Sequence, residues 1–220
     1  MKRQHIYQAI LLLIFLLAFA LRLYRIDAPS ISGDEAWSWT VAGWSLPEIV
    51  SSDAETNPPL YHLLLHGQMK LAGDSELALR LPSVWLGLLA LAAMARLGQA
   101  VDGRRLGTAV LSLAAISPFL VYSAQDARMY GPALLGASGS LAAFVLLWQR
   151  DGRPRSLWFW YGVMGLTAVF SHYYAFAVLL AQPAPARGGR GPASVADGAP
   201  RQRGGGRRVV AAPGAPGTAR

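Results

Sequence analysis

Five apolar runs, at about residues 7–24, 80–100, 107–123, 130–148 and 156–181, dominate this 220-residue sequence. Each is close to the roughly 20 residues that an α-helix needs to cross a bilayer, and lipid offers no partner for an open backbone N–H or C=O. A chain patterned in this way reads as an all-α, polytopic membrane protein with about five transmembrane helices. Apolar residues make up 53 % of it, in keeping with that solvent.

The start, "MKRQHIYQAILLLIFLLAFALRL", has the basic head and apolar body of a secretory signal, and Ala18-Phe-Ala20 has the form of a cleavage site. Because further apolar runs follow, it is read as an uncleaved first transmembrane helix. Positive charge then sets the orientation: Lys2, Arg3, "DGRR" (102–105) and "RDGRPR" (150–155) fall on one side, which the positive-inside rule makes cytoplasmic along with the N-terminus. Eight of the twelve acids lie in the loop 25–79, which is therefore expected outside.

Two parts of that loop have helical patterns. "NPPLYHLLLHGQMKLAG" (57–73) is short for a span and carries His62, His66 and Lys70, so it is expected to lie in the interface as an amphipathic helix. In 34–45, Trp37, Val41 and Trp44 form a stripe at i, i+4 and i+7, and tryptophan favours the headgroup layer.

The net charge of +8 would point to nucleic acid only if it were spread over a soluble domain. Residues 1–182 carry a net of +2, whereas 183–220 carry +6, with seven Arg, nine Gly, six Pro and no aromatic residue in 38 positions. This segment cannot bury a core and is expected to be disordered. It also falls on the outer side, where positive charge is disfavoured, and has the composition that GC-rich DNA gives out of frame. The expectation is a membrane part, 1–182, truncated or frameshifted after about residue 182. There is no cysteine, so thiol and disulfide chemistry are excluded. The P-loop, G-x-S-x-G and H-E-x-x-H patterns are absent, and no nucleic-acid partner is expected.

The candidate polar residues are few. Ser32-Gly-Asp-Glu35 fits a capping box, which would make Glu35 a helix cap and Asp34 a first-turn charge, yet the same two acids could carry chemistry. Arg80 and Arg128 stand at the outer ends of the second and third runs, where Arg80 could snorkel to the headgroups and Arg128 could pair with Asp126. His62 and His66 lie one turn apart and could share a divalent ion with Asp34 or Glu35, although a wet helix face gives the same spacing without a metal. Apart from that ion, no cofactor is expected. His172, in "SHYY" within the fifth run, is ionisable at membrane depth and so is either a functional or a packing histidine.

Taken in order, "LRLYRIDAPSISGDEAW", "NPPLYHLLLHGQMKLAG", "ELALRLPSVWLGLLALAAMARLG", "SPFLVYSAQDARMYGPALL" and "FSHYYAFAVLLAQ" resemble a known family over about residues 7–182. It is the N-terminal part of the polyprenyl-phosphate-sugar-dependent glycosyltransferases of the C-type membrane fold, in the bacterial branch near the dolichyl-phosphate-mannose protein mannosyltransferases and the aminoarabinose lipid A transferase. The resemblance implies a multi-pass protein of the bacterial inner membrane that moves a hexose or pentose from a polyprenyl phosphate to an extracytoplasmic lipid, glycan or protein acceptor. It implies Asp34 as catalytic base, with Glu35 beside it, and inversion by a single displacement. On the leaving phosphate it implies Arg128, with Arg80 and His172 as further substrate-binding candidates. Family members have further helices that complete the donor cavity. The rival expectations are a catalytically incomplete fragment of such an enzyme and a small transporter that uses His172 and the rim charges.

Overall fold

The computed structural model describes residues 2–149 and 154–182, all within the compact unit Met1–Gly189. The segment 183–220, expected above to be disordered, lies outside the described residues, as does most of "RDGRPR". The described chain is helical, with no strand: α1 (Lys2–Leu23), α2 (Gly33–Ala42), α3 (Leu46–Ser51), α4 (Leu60–Ala72), α5 (Glu76–Ile116), α6 (Pro118–Gln125), α7 (Tyr130–Gln149), α8 (Arg155–Ser171), a 3-10 turn (Tyr173–Ala175) and α9 (Phe176–Leu180). Among the described residues, three helices are long and apolar enough to cross a membrane: Gln4–Leu23, Glu76–Ile116 and Tyr130–Gln149.

As one straight rod, the 41 residues of α5 would reach about 60 Å, twice the roughly 30 Å hydrocarbon layer. Asp102 (φ −145°, ψ 41°) and Gly103 (φ 71°, ψ −167°) break it. The left-handed φ at Gly103 is cheap only without a Cβ. The two limbs then pack back to back, so closely that a Cβ on Gly107 would stand 2.7 Å from the Ala95 carbonyl oxygen. The "DGRR" loop is thus the tip of a helical hairpin between the apolar runs 80–100 and 107–123.

Two of the expected spans are not continuous helices. The run 107–123 is divided at Ser117, extended at φ −62° and ψ 119°, because Pro118 lacks an N–H and disfavours helix in the residue before it. The run 156–181 stops at Ser171. His172 is extended (φ −155°, ψ 128°), and its Nδ1 accepts the Tyr174 N–H at 3.2 Å, a local bond that competes with the helix.

Ala18 of α1 packs with Leu91, Ala95, Leu111, Ala114 and Ala115 of the hairpin in one apolar cluster. Against α7, α8 sits close enough that a Cβ on Gly136 would collide with the Ala168 backbone, the small-residue packing of helices in lipid. Leu12, Leu13 and Leu16 of α1 are exposed, as lipid-facing side chains are when no bilayer surrounds them.

One end of this bundle is tied by two polar side chains. Arg22, 1 % exposed, donates from Nη1 to the Ala18 and Ala115 carbonyls (3.0 and 3.1 Å) and from Nη2 to that of Ala114 (3.4 Å), capping the end of α5. Gln125 Nε2 in turn donates to the carbonyls of Leu21, Arg22 and Tyr24 (3.3, 3.1 and 3.0 Å), capping α1. Each helix end supplies donors for carbonyls that a helix C-terminus leaves open. From this tied end the loop 25–79 emerges, with α2, α3 and α4. As expected, α4 is a short helix; it turns Tyr61, His62 and Leu65 inward.

Candidate functional site

The expected capping box is present at the start of α2: the Ser32 hydroxyl accepts the Glu35 N–H at 3.2 Å, and Glu35 Oε2 accepts the Ser32 N–H at 3.0 Å. A second box, Ser45 with Glu48, starts α3. Glu35 does far more than cap. Arg80 Nε donates to Glu35 Oε1 (2.7 Å) and Arg80 Nη2 to Oε2 (2.8 Å), a two-pronged ion pair, and the Ala127 N–H donates to Oε1 at 3.0 Å. Glu35 is 4 % exposed, with four donors around its carboxylate. Burial works against the charge, but the Arg80 bonds and the two amides outweigh it and hold the pKa at about 2. Glu35 is therefore ionised and fully engaged at neutral pH.

Arg80 differs from both sequence expectations. It is 3 % exposed, so it neither snorkels nor presents a free fork to a phosphate. Beyond Glu35, its Nη1 donates to the carbonyls of Ile26 (2.6 Å) and Pro29 (2.9 Å), and Nη2 reaches that of Ser30 (3.4 Å). The physical reason is that loop 26–30 folds over the start of α5 and needs donors for its carbonyls. Arg80 is the post on which α2, the loop and α5 are hung.

Through the Ala127 bond, Glu35 also holds the turn between α6 and α7, and this places Arg128 beside Asp34. Arg128 Nη1 lies 3.3 Å from Asp34 Oδ2 and donates to the Asp34 carbonyl at 3.2 Å. The partner expected for Arg128 was Asp126; the carboxylate within ion-pair distance is that of Asp34. The pair is asymmetric, with the Asp34 side chain 74 % exposed and that of Arg128 only 13 %. Arg128 Nε is buried with no partner among the described residues. Its ring neighbour is Tyr130, with the guanidinium 6.0 Å from the ring centre.

Asp126 stands on the same turn. Burial first, and then the negative charges of Glu35 and Asp34, raise its pKa to about 6, against the pull of Arg128 and Arg80. On the other flank, Tyr61, fully buried, shares a hydrogen bond with the Ser83 hydroxyl (3.1 Å), which also meets the Arg128 carbonyl (3.4 Å). Burial pushes the Tyr61 phenol well above its usual range, so it stays protonated.

A cluster that the sequence reading did not single out completes the surround. Glu55 accepts the Trp37 indole N–H (2.6 Å), the Asn57 N–H (2.6 Å) and Asn57 Nδ2 (2.8 Å). His62 Nε2 is 3.7 Å from the same carboxylate, and His62 Nδ1 is buried without a partner among the described residues. Burial lowers the His62 pKa and the Arg128 charge lowers it further, against Glu55. The signal for Glu55 was present in its place just before Asn57-Pro58-Pro59, but nothing local indicated its distant partner Trp37.

The two helix-spaced histidines have different neighbours: His66 Nδ1 meets the Ala42 carbonyl oxygen at 2.8 Å, whereas His62 faces Glu55. No group of three or more His, Asp or Glu side chains placed to hold an ion forms among the described residues. His172 is not bonded to Asp34 or Arg128 among the described contacts; it stacks on Tyr174 at 5.3 Å. The antiparallel pairing of α8 with α7, Gly136 by Ala168 and Gly139 by Met164, does carry it to the end of the bundle where Arg128 lies.

Residues 56–183 fit the family model described as dolichyl-phosphate-mannose-protein mannosyltransferase, a stretch that includes Arg80, Arg128 and His172 and begins after Asp34 and Glu35. No curated protein and no solved structure matches the chain.

Proposed function

We propose, from the premise that the chain belongs to the dolichyl-phosphate-mannose-protein mannosyltransferase family, that it moves a sugar from a polyprenyl phosphate to a hydroxyl acceptor outside the cytoplasm, with Asp34 as base and Arg128 on the phosphate. The family makes it a membrane glycosyltransferase of the mannosyltransferase type. The observation that carries the finer reading is the exposed Asp34 carboxylate paired at 3.3 Å with a nearly buried guanidinium whose Nε has no partner among the described residues.

In the reaction, the acceptor oxygen forms a bond to the anomeric carbon as the bond from that carbon to the phosphate oxygen breaks. The bonding pair leaves with the polyprenyl phosphate, the hydroxyl proton goes to Asp34, and attack from the opposite side inverts the anomeric centre. Charge grows on the leaving phosphate, so N–H donors from Arg128 stabilise the transition state more than the bound donor. The two roles are linked. A phosphate that draws Arg128 to itself frees the Asp34 carboxylate to accept a hydrogen bond from the acceptor hydroxyl.

In this reading Glu35 and Arg80 are positioning residues. Their ion pair fixes α2 and the 126–128 turn together, so that base and phosphate binder keep their spacing.

The reading is tested by incubating membranes that carry the full chain with labelled polyprenyl-phosphate mannose and cell-envelope acceptors. Label transferred by the wild type with inverted configuration, and a large fall in kcat/KM for Arg128→Gln, are expected. Transfer by Arg128→Gln at the wild-type kcat/KM would exclude the phosphate role.

A further inference from the structure

Trp37 lies one helical turn beyond Asp34 on α2, the spacing that makes two side chains neighbours on one helix face. It is 41 % exposed. Tryptophans that anchor a protein in the bilayer interface turn their N–H to water or headgroups. Trp39, Trp158 and Trp160 are exposed to a similar or greater degree, and none donates to a protein acceptor in the hydrogen bonds of the described residues. Trp37 differs. Its N–H is held at 2.6 Å by Glu55, a carboxylate only 3 % exposed, and its ring edge meets Trp44 at 6.0 Å and 89°. One edge is locked while much of the residue stays exposed.

The neighbours of the indole close a circuit. Glu55 holds Trp37 and faces His62; the Arg128 charge reaches His62; Arg128 pairs with Asp34; Asp34 returns to Trp37 along the helix. An indole fixed in this circuit is set beside the point where the sugar of the donor must sit if Asp34 and Arg128 act as proposed above. A sugar ring has a face of C–H bonds with positive hydrogens, and an aromatic face is negative, so the two stack.

We propose that Trp37 is the platform on which the donor's sugar ring stacks, with Glu55 as the clamp that fixes the indole. The proposal rests on the reading of Asp34 and Arg128, and it assigns the sugar, not the lipid phosphate, to Trp37. Taken at the size of an aromatic pair contact, roughly 0.5–1.5 kcal/mol, such stacking is worth about two- to twelvefold in affinity.

The test measures equilibrium binding of labelled polyprenyl-phosphate mannose, and its competition by sugar-free polyprenyl phosphate, to the full chain in nanodiscs. Trp37→Leu keeps apolar bulk but removes the flat face, and is expected to weaken the mannose-bearing ligand about fivefold while the sugar-free lipid binds as before. Trp37→Phe, which restores a ring, is expected to recover most of that loss, and Trp39→Leu to change neither ligand. The ratio of the two affinities is the readout, since a misfolded fraction would lower both equally. If Trp37→Leu left the ratio unchanged, or Trp39→Leu altered it as much, Trp37 would be a membrane anchor and the proposal would fall. Arg128→Gln separates this from failure of the underlying reading: it should weaken both ligands together, and unchanged binding of both would sink the phosphate assignment instead.

Discussion

Replacing Glu35 with glutamine removes one charge and turns one of two acceptor oxygens into a donor. The Arg80 fork, now 2.7 and 2.8 Å from two carboxylate oxygens, would face an amide NH2 on one side and lose its counter-charge where both residues are less than 5 % exposed. The size of the effect follows by two routes. A pKa lowered from 4.5 to about 2 corresponds to about 3 kcal/mol in favour of the charged form, at about 1.4 kcal/mol per unit. Removing one partner of a buried ion pair costs roughly 3–5 kcal/mol. Asp34→Asn alters a side chain 74 % exposed and should cost no more than about 0.5 kcal/mol. Thermal unfolding of detergent-solubilised protein, followed by circular dichroism, reads both. At roughly 2–4 °C per kcal/mol for a chain of this size, Glu35→Gln should lower Tm by about 6–20 °C and Asp34→Asn by about 2 °C or less. Equal shifts, or a larger one for Asp34→Asn, would refute the division of labour between the adjacent acids.

Two further substitutions probe the site and the scaffold. Asp126 has its pKa raised from 3.8 to about 6, so its ionisation burdens the folded state as pH rises from about 4 to 6 and continues to do so above that. Asp126→Asn should therefore raise stability at pH 7, by about 1–2 kcal/mol once solvent screening of this partly exposed carboxyl is allowed for, and give little gain at pH 4; a gain independent of pH would show that the carboxyl is not its source. Gly107→Leu forces a side chain into the contact with Ala95 and Gln99 and should destabilise the α5 hairpin by at least roughly 1–3 kcal/mol, seen as faster proteolysis at 102–105. Unchanged proteolysis would mean that the limbs are not closely packed.

The features legible in the sequence are those whose cause is local. The Ser32–Glu35 box needs only a three-residue spacing, and the turn at Asp102–Gly103 is marked by charge and by glycine. The break at Ser117 was also signalled, by Pro118, but the apolar run across it was the stronger pattern. At His172 there is no proline or glycine, and a side chain bonding its own neighbour ended the helix within an apolar stretch. What sequence could not give was the division between Asp34 and Glu35, two adjacent acids of like chemistry. Their fates are set by Arg80, 45 residues from Glu35, and by the 126–128 turn, more than 90 residues away. Arg22 was hidden for a related reason: counted as the tail of an apolar run, it is a buried cation that caps another helix. Hydropathy records that a charge is present, not which carbonyls it will meet.

The central claim is that Asp34 accepts the acceptor's proton. Its most direct test is single-turnover transfer from labelled polyprenyl-phosphate mannose by the full chain carrying Asp34→Asn, with donor binding measured on the same sample. A positioned base contributes about 10²–10⁴-fold, so transfer should fall by at least about 100-fold while the donor still binds. Transfer at the wild-type rate, with the donor bound, would contradict the account.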